Sequence, residues 1–203
     1  MNAVIAGVGG QGTVLASRLV AYMGMRAGLP VRTAETIGMA QRGGCVTSHV
    51  RIGDAPDDQI ASPLVAVGGA DVVCAFEPGE GSRALRYLAP HGVMVLATRA
   101  VVPVTASLGG AVYNPAAHID YLSEALGSRL VRIDPAEVVE QLGSDRPVNV
   151  VLLGAASASR ALNFTLDALK DAIAALVKPS YVELNCAAAE LGARAYEHQS
   201  TRW

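Results

Sequence analysis

The residues best placed to do chemistry begin with GVGGQG, Gly7 to Gly12, directly behind the apolar run Met1 to Ala6 and ahead of a long amphipathic segment. In a strand–GxGxxG–helix unit, Gly7 would permit the tight turn, Gly9 would let a phosphate approach the backbone, and Gly12 would let helix and strand pack closely. Gly10 and Gln11 complete the loop, and free N–H groups at the following helix start favour an anion. Glu35, 23 residues beyond Gly12, falls where an acid would meet a ribose hydroxyl, which favours a dinucleotide. The same glycines also serve strand–helix turns that bind nothing, and Glu35 reads equally well as a solvated residue at a strand end. A second polar stretch, Glu35-Thr36-Ile37-Gly38-Met39-Ala40-Gln41-Arg42-Gly43-Gly44, offers the donor fork of Arg42 and the amide of Gln41. Its glycines, Gly43 and Gly44, allow close approach of the backbone or only a turn. Arg42 suits a phosphate or carboxylate ligand, or an ion pair with Glu35 or Glu77. Glu77, after the strand-like run Asp71 to Phe76, could orient Arg42 or cap the next helix, and capping is the simpler reading.

Other chemistries lack their residues. The cysteines, Cys45, Cys74 and Cys186, are odd in number and far apart, with no C-x-x-C. That pattern suits a reducing cytoplasm and does not supply the closely spaced thiolates of an iron–sulfur cluster. The histidines, His49, His91, His118 and His198, show no ligand spacing and read as surface or cap residues, so no metal is expected in this chain. No catalytic residue is nominated. A net charge of −2 with no Lys/Arg block argues against nucleic acid. The N-terminus lacks a basic region before its apolar stretch, which argues against secretion, and no segment runs the ~18 residues of a membrane span without a charge or a turn-former.

The positioning elements follow from periodicity. The 203 residues, 51% apolar and 17% charged, predict one domain over 1–203 with a helical portion from about residue 134. Asn2 to Ala6 reads as a buried strand. Val14, Leu15, Leu19, Val20, Met23 and Ala27 mark a helix ended by Gly28 and Pro30, and Val31 to about Thr33 is the second strand of a βαβ opening. In the run Cys45 to Ile52, alternation puts Val46, Ser48 and Val50 on one face and Thr47, His49 and Arg51 on another that is wet or touches a second chain. After Asp71 to Phe76 the pattern predicts a helix through Leu88 to Pro90, a strand from Gly92 to Thr98, a helix from Asn114-Pro115 to about Leu126 and a strand from Arg129 to Ile133. Asp134-Pro135-Ala136-Glu137 is a helix start, and helices follow over Val148 to Leu162, Leu166 to Val177 and Ser180 to about Glu197. The small, apolar run from Asn149 to Ala158 should be buried against the sheet or a partner. The fold class is α/β: a Rossmann-like, doubly wound, mostly parallel sheet with a helical C-terminal portion.

The motifs GVGGQGTVLASRL, ETIGMAQRGGCVTSHVRIG, DVVCAFEP and NVVLLGA, in this order, resemble the gamma domain of the 2-oxoacid:ferredoxin oxidoreductases over residues 2 to 192, with the indolepyruvate branch most similar. That family typically reads Glu-Val-His-Gly-Met-Ser-Gln-Arg-Gly-Gly in the second motif; here Ile37 and Ala40 replace the His and Ser. Gly79 follows Glu77-Pro78 where a larger apolar residue is common. The resemblance implies oxidative decarboxylation of a 2-oxoacid with coenzyme A to acyl-CoA, carbon dioxide and reduced ferredoxin, using thiamine diphosphate, magnesium and iron–sulfur clusters. This chain has no Gly-Asp-Gly…Asn thiamine motif, so the resemblance places those cofactors on a larger alpha subunit as obligatory partner, with ferredoxin served through the complex. It implies that Gly7, Gly9, Gly10, Gln11, Gly12, Gln41, Arg42, Gly43, Gly44 and Glu77 face that partner's active site, CoA or substrate. Two other classes stay open: an independent NAD(P)-binding oxidoreductase, which would need a catalytic domain that the helical C-terminal portion does not provide, and a purely structural assembly subunit.

Overall fold

The computed structural model describes residues 1–38, 44–101 and 113–201. A single mixed sheet runs in the order β2-β3-β1-β4-β5-β6, from strands β1 (Asn2–Val8), β2 (Val31–Ile37), β3 (Cys45–Ile52), β4 (Ala70–Ala75), β5 (Leu88–Ala97) and β6 (Leu130–Ile133). Only β3 opposes the others: it pairs antiparallel with both β1 and β2, while β1, β4, β5 and β6 pair in parallel. Helices α1 (Thr13–Arg26), α2 (Pro78–Ala84), α3 (Pro115–Leu126), α4 (Pro135–Leu142), α5 (Val148–Ala158), α6 (Leu166–Leu176) and α7 (Pro179–Ser200) complete the described elements.

Each strand sends alternate side chains to opposite layers. Ile5, Val50, Val72, Val95 and Val131 join α1 and the C-terminal helices in one core. Val4, Val73, Met94 and Leu130 meet Leu122 and Leu126 of α3 and Ala84 of α2 in the other, which makes the fold doubly wound, as expected. Burial of a side chain such as Leu152 or Leu153, each fully enclosed, stabilises the fold by about 2 kcal/mol.

Several boundaries depart from the sequence reading for physical reasons. The second strand continues to Ile37 rather than ending near Thr33, because it is defined by its ladder with β3 and not by burial: five of its seven residues are exposed. The β1–α1–β2 unit is therefore split by β3. Residues Leu88 to Pro90 belong to β5, not to a helix, after a short 3-10 turn over Leu85–Tyr87; Pro90 disfavours helical backbone at Ala89. Helix α5 stops at Ala158, and the turn that follows places Arg160 at φ 63° and Asn163 at φ 57°.

The face of β3 expected to be wet or to touch a second chain is partly covered by the protein itself, with Thr47 and Arg51 half-buried. His49 is buried, stands edge-on to Tyr87 with ring centroids 5.1 Å apart, and its Nδ1 accepts the Val65 N–H at 3.3 Å. Burial, and then the neighbouring Arg86 guanidinium, hold its pKa below the usual histidine value, so the ring is the neutral acceptor that this bond requires.

The apolar run in α5 is buried by the protein's own α7. Gly154 and Gly192 meet at the crossing of these helices: a Cβ on Gly192 would lie 2.8 Å from the Val151 carbonyl carbon, and one on Gly154 would lie 2.8 Å from that of Ala189.

Candidate functional site

The carboxyl ends of β1, β4 and β5 open on one edge of the sheet, where folds of this class gather ligands. Because β3 runs antiparallel, it begins on this edge and β2 ends there. Gly44, just ahead of β3, therefore lies beside the glycine loop and is joined to it: the Gly9 N–H donates to the Gly44 carbonyl at 2.9 Å. Of the expected site residues between β2 and β3, Gly44 is thus placed, whereas Gln41, Arg42 and Gly43 lie outside the described residues.

The glycines divide their work differently from the pattern expected of a dinucleotide loop. Gly7 lies inside β1 and leaves room for its neighbours: a Cβ there would sit 2.9 Å from Gln11 Oε1 and 3.1 Å from the Phe76 Cβ. Gly9, the expected point of phosphate approach, spends its N–H on Gly44. The left-handed positions are Gly10, φ 101°, and Gly12, φ 80°, where only glycine is at ease. Gly12 packs against Asn149 rather than against the strand, since a Cβ would lie 2.5 Å from Asn149 Nδ2.

Gln11 is a brace. Its Oε1 accepts the Val8 N–H at 2.7 Å and its Nε2 donates to the Phe76 carbonyl at 2.9 Å, tying the ends of the two central strands together. Glu35 does not stand beside the loop. It pairs with Ser48, which pairs with Ile5, so it lies two strands across and about 10 Å back along the sheet, where the Ser17 hydroxyl donates to it at 3.3 Å. The ribose-binding geometry of a dinucleotide site is not formed by this acid.

Glu77 caps α2, the simpler of its two readings. It is buried, its Oε2 accepts the Glu80 N–H at 3.0 Å, and its Oε1 accepts the Tyr113 hydroxyl, which itself accepts the Gly79 N–H at 2.9 Å. Gly79 makes that arrangement possible, since a Cβ there would lie 2.8 Å from the tyrosine oxygen. Burial, and then the hydrogen bond to Glu77, push the Tyr113 pKa upward and keep it a donor. Glu80 is also buried; burial raises its pKa against the opposing pull of Arg83, its ion-pair partner.

A cleft of about 660 Å³ opens between the glycine loop and the starts of α4 and α5, lined among others by Gly10, Gly12, Phe76, Arg99, Arg146 and Asn149. Arg99 pairs with Asp145 at 2.7 Å on the rim, and the Asn149 Nδ2 donates to the Gly12 carbonyl at 3.3 Å. The arrangement suits an anionic or amide-bearing ligand reaching in from the loop side. Arg99, Arg146, Asn149 and Tyr113 were not singled out by sequence. Asn149, at the head of the NVVLLGA run, carried the only local signal: a lone polar residue at the start of an otherwise apolar helix.

Among the described residues no group of three His, Cys, Asp or Glu side chains could hold a metal ion. Cys45, Cys74 and Cys186 stand on β3, β4 and α7, and burial pushes the Cys74 thiol up to about 12. This donor set does not fit an iron–sulfur cluster.

The family profile described as pyruvate ferredoxin/flavodoxin oxidoreductase matches residues 2–195. The chain is 38% identical over 192 residues to the indolepyruvate oxidoreductase subunit IorB of Archaeoglobus fulgidus, covering 95% of this chain and 93% of the relative. It is 34% identical over 195 residues to the subunit of the same name from Thermococcus kodakarensis, covering 96% and 95%. In fold it is similar to the gamma subunit of a keto/oxoacid ferredoxin oxidoreductase from Geobacter sulfurreducens, with a TM-score of 0.67 and 20% identity over 97% of this chain and 98% of the other. It also matches the 2-oxoglutarate:ferredoxin oxidoreductase of Magnetococcus marinus, with a TM-score of 0.69 and 22% identity, covering 98% of this chain and 31% of that one.

Proposed function

Because the chain belongs to the pyruvate ferredoxin/flavodoxin oxidoreductase family, we propose that it is the small, cofactor-free subunit of an indolepyruvate-type 2-oxoacid:ferredoxin oxidoreductase. As one gamma-type domain over 1–203 it works in the cytoplasm with a larger alpha subunit, and the complex converts an arylpyruvate and coenzyme A to acyl-CoA, carbon dioxide and reduced ferredoxin. The observation that carries the reading is end-to-end similarity to proteins named as one subunit of such an enzyme, in a chain whose own donors fit no cluster. The 2-oxoglutarate enzyme, solved with coenzyme A and succinyl-CoA bound, carries the matching region as part of a longer chain, which supports the same division of labour.

Thiamine diphosphate, magnesium and the clusters, on the larger subunit, supply the decarboxylation and electron transfer. This chain's residues do the rest by position. The glycine loop, held by Gln11 and Asn149, and Gly44 beside it lie at the sheet edge that would face the partner's site; Gln41 and Arg42, outside the described residues, are the side chains proposed to receive coenzyme A or the oxoacid there. Glu77 holds the neighbouring strand end in register through its cap and Tyr113.

The test has two parts. Purified from its source, the chain should bring with it a brown, larger polypeptide; micromolar NAD(P) binding by the isolated chain would instead favour an independent dehydrogenase. In the reconstituted complex, Arg42→Ala should raise the apparent KM for coenzyme A or oxoacid at least tenfold, about 1.4 kcal/mol of lost binding. Loss of assembly alone would favour the structural role, and an unchanged enzyme would remove Arg42 from both.

A further inference from the structure

The two edges of the sheet are finished in opposite ways. At β6, a strand of four residues, Gln199 of α7 seals the ladder: its Oε1 accepts the Arg132 N–H at 3.0 Å and its Nε2 donates to the Arg132 carbonyl at 2.6 Å. At β2 nothing similar occurs among the described residues. This strand runs seven residues in unbroken register with β3, without a bulge, proline or lysine, and Arg32 and Glu35 cancel in charge. Its composition, Val31-Arg32-Thr33-Ala34-Glu35-Thr36-Ile37, is β-prone, and Ile37 is 66% exposed. Proteins blunt such an edge unless another strand covers it.

We propose that β2 is an assembly edge at which an extended segment of the larger subunit adds a seventh strand. The inference rests on the partnership proposed above. Backbone N–H and C=O groups alternate along the outer side of β2, so the occupant recognised there is itself an extended chain. Side chains choose which one. Register with β3 places Arg32, Ala34 and Thr36 on one face and Thr33, Glu35 and Ile37 on the other.

A second copy of this chain is a poor occupant. Two-fold antiparallel pairing centred on Arg32 or Glu35 sets like charges directly opposite, and pairing centred on Thr33 or Ala34 sets Arg32 or Glu35 diagonal to its own mate. A strand from a different polypeptide, with an acid facing Arg32 and a base facing Glu35, meets no such conflict. Ile37, at the end of β2, pairs with Val46, two residues beyond the Gly44 that accepts the Gly9 N–H, so a strand laid along β2 leads toward the glycine loop.

Hydrogen–deuterium exchange on the isolated chain and on its complex with the larger subunit tests this. Alternate amides of Val31 to Ile37 should exchange at least roughly tenfold more slowly in the complex, as backbone pairing requires and side-chain contact does not. Arg32→Glu and Glu35→Arg should each weaken association several-fold while the isolated chain stays folded by circular dichroism. A complex that forms with these amides unprotected overturns the strand-addition inference and leaves the proposed function standing. Concentration-dependent protection of the chain alone would assign the edge to a second copy and overturn it likewise. Failure of any complex to form would remove the proposed function, and this inference with it.

Discussion

Gly192→Ala is expected to destabilise the isolated chain by about 3 kcal/mol, at the upper end of what overpacking costs, and to lower its melting temperature by roughly 10 °C. The sign is informative. Alanine is the better helix former by about 1 kcal/mol, so a residue serving only the helix would gain from the change. Here the added methyl would lie 2.8 Å from the Val151 carbonyl carbon and closer still to its oxygen, and a backbone carbonyl cannot swing aside as a side chain can. Helices α5 and α7 would have to part along their whole crossing, which loosens Leu152, Leu153 and Ala189 from the larger core. Gly154→Ala, facing Ala189 from the other side, should behave in the same way. Thermal unfolding followed by circular dichroism decides the matter, and an unchanged or raised melting temperature would mean that the helices do not meet at these glycines.

Glu77→Ala should cost about 3 kcal/mol, from the loss of a helix cap and from leaving the Tyr113 hydroxyl without its acceptor. The carboxylate ties the Glu80 N–H, in the first turn of α2, to the Tyr113 hydroxyl ahead of α3. Glu77→Gln keeps an acceptor in place and should lose only about 1 kcal/mol. Denaturant melts of the two variants check the ordering, and equal losses would contradict it.

The adjacent Glu80 adds a pH dependence whose sign is fixed. Its folded pKa is raised, chiefly by burial, so the folded chain holds this proton more tightly than the unfolded one. The Glu80 contribution therefore weakens as pH rises from the unfolded carboxylate value through the raised folded value. In Glu80→Gln that part of the slope should vanish, and a slope unchanged in the variant would assign it to another group.

What could be read in the sequence was local. Asn114 and Asp134 each cap a helix where the sequence pattern put its start, because a cap depends on residues within one turn of each other. The glycine turn after β1, the stop at Gly28 and the covered faces of the central strands were legible for the same reason.

What escaped the sequence depends on contacts far apart along the chain. The insertion of β3 between β1 and β2 leaves both strands with the composition they would have as neighbours, so nothing in residues 2–37 announces it, yet it moves Glu35 away from the glycine loop. His49 is buried against Tyr87 and the Val65 amide, partners 38 and 16 residues away. Gly79 reads as a turn residue until the Tyr113 hydroxyl is seen in the space that a side chain would fill. At the candidate site, the glycines and Glu77 stand out in the sequence, but the contacts each one makes follow only from Gly44, Phe76, Asn149 and Tyr113.

In the proposed division of labour, this chain shapes a reaction centre whose metals and thiazolium belong to a companion. The most direct test of that division is oxoacid-dependent ferredoxin reduction, assayed with indolepyruvate, coenzyme A and thiamine diphosphate, for this chain alone and after addition of the larger subunit. The account predicts no turnover by the purified chain and turnover on adding the second polypeptide. Ferredoxin reduction by the 203-residue chain on its own would contradict it.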